Sequence, residues 1–318
     1  MKKLLKLATV MLFAVAVVCT TGCKKSSDNN DNNSGTVTPT YPTGAINGLF
    51  SVSADKQVYF SQGNLQYQAS TNTWRFAENQ WDYVGGKVRG NVYENGVKCD
   101  NELISESYNG WIDLFGWGTS GWNSGFNCYQ PYSISNNNDD YYFGAGGNIN
   151  PNIDWGLYNA ISNGGNKTGL WRTMTKEEWE YVINERITNS GIRFALAKVN
   201  NVKGVILLPD NWSADIYSLN NPNEFVLYTN NIITNEIWEN SFENNGAVFL
   251  TQAGDRLRLN YYDEEGCYWS LSQKSDYSST FRWCMTFWEN ESLGNTTIIL
   301  SVLSPSYGHS VRLVQDYQ

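Results

Sequence analysis

Six cysteines and a single histidine bound the chemistry open to this chain. Cys19 and Cys23 stand near the N-terminus; Cys99, Cys128, Cys267 and Cys284 stand in the body of the chain. Four body cysteines form an even set and allow three pairings. Cys99–Cys128 and Cys267–Cys284 are favoured, because each pair brackets one local stretch. No two cysteines have C-x-x-C spacing, so zinc-ribbon and thioredoxin-type chemistry is not indicated. His309 lies in "YGHSVRLV", an alternating segment that reads as a final strand. A Ser-His-Asp triad needs a partnered histidine in a cleft. A strand position instead makes His309 a surface or hydrogen-bonded residue, and one histidine excludes any two-His metal site. We therefore expect no catalytic residue, no metal ligands and no cofactor.

The other candidates are aromatic and acidic. Trp111, Trp117 and Trp122 in "GWIDLFGWGTSGWN" could stack on sugar rings or fill a core, and Gly121 and Asn123 around Trp122 suggest exposure there. Trp117, Trp122, Tyr141 and Tyr142 form the candidate ligand face. They lie in a stretch rich in Gly and Asn without periodicity, and binding residues tend to sit on such loops. Asp139 and Asp140, and again Asp263, Glu264 and Glu265, gather carboxylates that could hold calcium, but solvated acidic turns are the plainer reading.

The N-terminus is a targeting segment. "MKKLLK" is basic, and Leu7 to Val18 is apolar, too short to span a bilayer but the right size for a signal-peptide core. "TTGC", Thr20 to Cys23, resembles the lipobox of bacterial lipoproteins, with Gly22 as the small residue and Thr20 where an aliphatic one is usual. That resemblance implies a signal over 1–22 and lipid on Cys23. Residues 23–43 are rich in Asn, Asp and Ser and bury too little to fold, so they form a tether. The 22 basic and 31 acidic residues give −9; loss of residues 1–22 removes Lys2, Lys3 and Lys6 and no acid, leaving −12. A chain this acidic repels nucleic acid, so none is expected as a partner.

Residues 44–318 read as one domain that must position these groups. "GLFSVS", "KQVYFS", "GNLQYQ" and "TWRFA" alternate between turns and predict a β-meander. Asp82 to Asn152 reads as long loops. Thr175 and Glu178 form a capping box, and Met174 and Trp179 a hydrophobic staple. Trp179, Val182, Ile183 and Ile187 then share one helical face. Two strands follow around Asn200-Asn201, then a second helix over Asn235 to Asn244, capped by Thr234 and closed by Gly246. Strands complete the chain. The fold class is α+β, two helices beside a mainly antiparallel sheet.

"WRTMTKEEWEYV", Trp171 to Val182, is similar to the helix start of formylglycine-generating (sulfatase-modifying) proteins. It also resembles the Fibrobacter succinogenes major paralogous domain family found in Bacteroidetes lipoproteins. "GAVFLTQAGDR", "CYWSLS" and "GHSVRLV" look like later blocks of the same group, and the likeness spans Gly48 to Val314. It implies a C-type-lectin-like fold. Met174 departs from the pattern, standing where proline is usual. The copper oxidases of that superfamily hold copper with C-x4-C; here Cys284 is present and Ser279 replaces the first cysteine. One thiolate cannot supply the pair that Cu(I) needs. The expectation is a non-catalytic binding or adhesin-like lipoprotein of the outer membrane, surface-exposed, held to the membrane by its lipid and taking a neutral or cationic ligand such as a glycan or a protein surface. The alternatives are an enzyme of the formylglycine-generating type with altered chemistry, or a purely structural envelope protein.

Overall fold

The computed structural model describes residues 41–85, 93–94, 97–98, 107–119, 154–257, 260–274 and 281–318. The helix starts follow from their caps. Thr175 accepts from the Glu178 amide, and Glu178 reaches back to the Thr175 amide, satisfying donors the helix cannot. Glu178 also takes both guanidinium nitrogens of Arg172 at 2.7 Å. Arg172 continues to Asp316 on the last strand, so the cap is tied to the C-terminus. The α-helix Lys176–Glu180 widens into a π turn over Tyr181–Glu185, where Arg186 donates to the Tyr181 carbonyl.

That turn corrects one expectation. Ile187 is 85% exposed rather than on the buried face with Trp179, Val182 and Ile183. The chain leaves the helix at Arg186, whose backbone is extended (ψ 135). Arg186 takes the interior place: its guanidinium donates to the carbonyls of Leu208 and Arg193 and pairs with Asp210 at 3.0 Å. The second helix forms as read. It runs from Asn235 through a widened turn to Asn245, with Thr234 accepting from the Ile237 amide and Gly246 at φ 83 ending it. Among the described residues these two helices and a single turn, Trp155–Tyr158, are the α-helical elements.

The rest is mostly antiparallel sheet. The hairpin Phe194–Val199/Val202–Leu207 turns at Asn200 and Asn201, both at positive φ, as a two-residue hairpin requires. Val248–Thr251 extends it on one edge. Ile232–Ile233 adds to the other as the one parallel strand pair among the described residues. Glu265–Gln273, Arg282–Asn290 and Asn295–Leu303 form a three-stranded meander.

The predicted N-terminal meander does not form as one sheet. Phe50–Ser51 pairs with Gln57–Phe60, but the other neighbour of Gln57–Phe60 is Leu313–Asp316. Leu65–Gln68 pairs with Thr73–Phe76 and Trp111–Ile112 in a separate sheet. Alternation specified the strands and not their partners. The last strand lies between Gln57–Phe60 and Arg172–Thr173. Buried aromatic and aliphatic side chains from these sheets make three clusters, one built around Trp74, Trp117, Trp171 and Trp269.

Asp210 joins three parts of this arrangement. One carboxylate oxygen accepts from the Ser51 amide, the Ser51 hydroxyl and Gln57 Nε2; the other takes Arg186. Asp210→Ala strands a buried guanidinium and should cost roughly 3–5 kcal/mol, as for breaking a buried pair. Urea unfolding measures it, and a loss below about 1 kcal/mol would show that the network is not structural.

Candidate functional site

Two sites share the strand Glu265–Gln273. The first is an open cleft of about 770 Å³. Its walls carry six carboxylates, from Asp255, Asp263, Glu264, Glu265, Glu289 and Glu291, and one ammonium, Lys203. Glu289 and Glu291 hold that ammonium in ion pairs. Trp288, Tyr262 and Tyr307 supply aromatic faces to the same cleft. The turn leading into it requires glycine. Gly254 sits at φ +80, and a Cβ there would fall 2.3 Å from the Tyr262 carbonyl oxygen. The Gly254 amide donates to the Glu265 carbonyl, which sets Asp255 beside Glu265. Burial, then the Glu265 charge, pushes the Asp255 carboxyl up to about 7. Burial likewise raises Glu265 above the usual carboxylate range.

Asp263, Glu264 and Glu265 were read as a solvated turn. They are one wall of this cleft, and the other walls come from positions far away in sequence. Only the run of three acids was visible beforehand.

The second site is interior. Cys267 and Cys284 lie on neighbouring antiparallel strands, and His309 lies on the segment docked beside them. All three are at 0% exposure. Their sulfur and nitrogen ligand atoms lie within 4.8 Å of one another. The register explains the approach. Cys267 opposes Thr286 and Cys284 opposes Trp269, so all four side chains share one face. The Thr286 hydroxyl is 3.4 Å from each sulfur. Cys284 Sγ also donates to the Ser301 carbonyl at 3.6 Å. Backbone pairs then set His309 in place: Ser310 donates to the Cys267 carbonyl, and His309 exchanges both bonds with Phe115. The imidazole meets Trp269 edge-on at 4.4 Å and stacks on Tyr307 at 5.8 Å. Neither ring nitrogen has a hydrogen-bond partner among the described residues. Burial, then the Arg256 charge, lowers its pKa to about 3, so the ring is neutral. Burial pushes the Cys267 thiol well up.

Four expectations change here. Cys267 and Cys284 are adjacent as predicted, but as free thiols rather than a disulfide. They are diagonal, not opposite, and diagonal ladder positions stand roughly 7–8 Å apart, beyond the usual disulfide span. Cys284 is not a lone thiol, since Cys267 lies beside it. His309 is neither at the surface nor hydrogen-bonded through its ring. Three residues with metal-ligating atoms therefore meet where no ligand set was foreseen.

Trp117 is 2% exposed, donates from Nε1 to the Ser270 carbonyl and lies under the Arg282 guanidinium at 4.3 Å. It is a core residue, not a ligand platform, because its faces are already covered. Trp111 is half-buried with Arg75 stacked on it at 3.9 Å. Cys23, Cys99, Cys128, Trp122, Asp139, Asp140, Tyr141, Tyr142 and Ser279 lie outside the described residues.

No family model, curated protein or solved structure matches the chain.

Asp255 gives a pH signature. Its folded-state value lies above the ordinary 3.8, so protonated Asp255 favours the fold at low pH, and that contribution is lost as pH rises from 3.8 through about 7. Urea unfolding of the wild type and Asp255→Asn should show the wild type losing stability relative to the variant between pH 4 and 8. A difference that stays constant with pH would contradict the buried placement of this carboxyl.

Proposed function

We propose that this chain is a lipid-anchored binding module of the outer membrane, displayed at the cell surface, which uses the acidic cleft to hold a basic segment of a partner protein. The cleft carries the reading: six carboxylates against one already paired ammonium, around about 770 Å³, attract cations and disfavour anions. The −12 charge of the chain after residue 22 acts in the same direction at longer range. The lipobox-like "TTGC" supports a lipid on Cys23, and residues 24–43 supply the reach. Among the described residues no helix is long and apolar enough to cross a membrane. The C-type-lectin-like reading rests on the resemblance of motifs such as "WRTMTKEEWEYV" and "GHSVRLV" in their order along the chain, and antiparallel sheets with few helices are compatible with it.

The aromatic faces of Trp288, Tyr262 and Tyr307 favour a second reading, a glycan stacked in the same cleft. The formylglycine-generating type of enzyme is less well supported. Its copper spacing is absent, and the thiol pair among the described residues, Cys267 and Cys284, is buried.

Calorimetric titration of the detergent-solubilised protein with octalysine separates these readings. Binding should appear at low ionic strength, weaken with salt, and fall about tenfold in a Glu264→Gln/Glu291→Gln double variant, as for two partly exposed charges. Trp288→Ala should leave it nearly unchanged, whereas stacking of a sugar would be lost. The mature N-terminus should carry its lipid on Cys23 by mass spectrometry. Failure of octalysine to bind, or equal binding by the double variant, rejects the basic-ligand reading.

A further inference from the structure

We propose that Cys267, Cys284 and His309 form a zinc site, which pins the C-terminal segment to the strands beneath the cleft. The site is independent of what the cleft holds.

The ligand atoms already stand within 4.8 Å of one another. Zinc bonds of about 2.3 Å to sulfur and 2.0–2.1 Å to nitrogen place tetrahedral ligand atoms roughly 3.5–3.8 Å apart. The imidazole makes the stronger case. A buried polar atom without a partner costs free energy, and among the described residues neither ring nitrogen has one. A structural role alone would be served better by an apolar ring at position 309. Packed against Trp269 and Tyr307, the neutral ring is held as a ligand would be.

Charge selects the ion. Two thiolates and a neutral imidazole bring −2 into a region at 0% exposure. A divalent ion makes the centre neutral, and a monovalent one leaves it negative. Arg256, whose charge acts on His309, is also engaged electrostatically with Asp255. Two sulfurs and one imidazole suit zinc among divalent ions, and exclude calcium and magnesium. Binding exchanges protons for metal: Zn²⁺ enters, each thiol releases one proton, and His309 contributes a lone pair. The Thr286 hydroxyl, 3.4 Å from each sulfur, donates to one thiolate and steadies it.

The location explains what zinc would do. Glu265 is two residues before Cys267, and Tyr307 two before His309, and both line the cleft. The ion would join the two segments that carry them.

The test uses the mature lipoprotein, unfolded in urea with reductant and refolded with zinc, with cobalt(II), with copper(I) or with none. One zinc per chain by elemental analysis is expected. Cobalt should give thiolate-to-metal charge-transfer absorption, which carboxylates of the cleft cannot produce. Zinc should raise the thermal midpoint of the wild type but not of His309→Phe or Cys284→Ser. If these variants do not fold, the wild-type cobalt spectrum decides alone. Refolded wild type without stoichiometric zinc, with Cys267 and Cys284 either free or bridged, overturns the proposal. Preferential retention of copper(I) over zinc in competition overturns the choice of ion.

Discussion

The backbone hydrogen bonds of residues 307–316 tie the structure together. Tyr307–Gly308 pairs with Asp255–Leu257, and His309 with Phe115. Ser310 bonds to Cys267 and Trp269, Val311 receives the Leu65 amide, and Leu313 receives that of Ser61. Leu313–Asp316 then fills the position between Gln57–Phe60 and Arg172–Thr173. Each pairing satisfies buried polar groups that would otherwise cost free energy. Five sheet regions distant in sequence thus share one short segment. The cleft and the Cys–Cys–His cluster both depend on it, since it supplies Tyr307 to one and His309 to the other.

Charge is distributed accordingly. Four arginines are buried among the described residues, Arg186, Arg256, Arg282 and Arg312. Arg312 reaches Gln80, Asn64 and the Phe249 carbonyl with no carboxylate among these partners, and burial pulls its pKa down to about 10. Arg186 is pulled down to about 10 for the same reason, offset in part by Asp210. Six carboxylates stand together around the cleft instead. The interior thus uses guanidinium groups to satisfy backbone carbonyls, and the cleft wall carries carboxylates.

How much could be read from the sequence depended on the range of each interaction. The capping box at Thr175 and Glu178, the Asn200-Asn201 turn and the Thr234 cap involve neighbours and were legible. Ile187 was misplaced because helical periodicity assumes a regular helix, and the π turn after Glu180 shifts the face. The N-terminal meander was misread because alternation carries no information about partners. The site was the least legible. Cys267 and Cys284 could be paired on spacing alone, but their diagonal register and the approach of His309 follow from strand pairing. Asp255 and Glu265 look like ordinary surface acids until Gly254 folds them together.

Residues 307–316 are the keystone of the fold and not a peripheral strand. Amide hydrogen exchange tests it most directly, because protection reports the free energy of the opening that exposes each amide. Mass spectrometry of exchanged peptides should find the amides of His309, Ser310 and Val314 opening only with global unfolding, at the same denaturant dependence as Val205 and Leu250 in the central hairpin sheet. Exchange of the 307–316 peptide within minutes, while Val205 and Leu250 stay protected, would contradict the account.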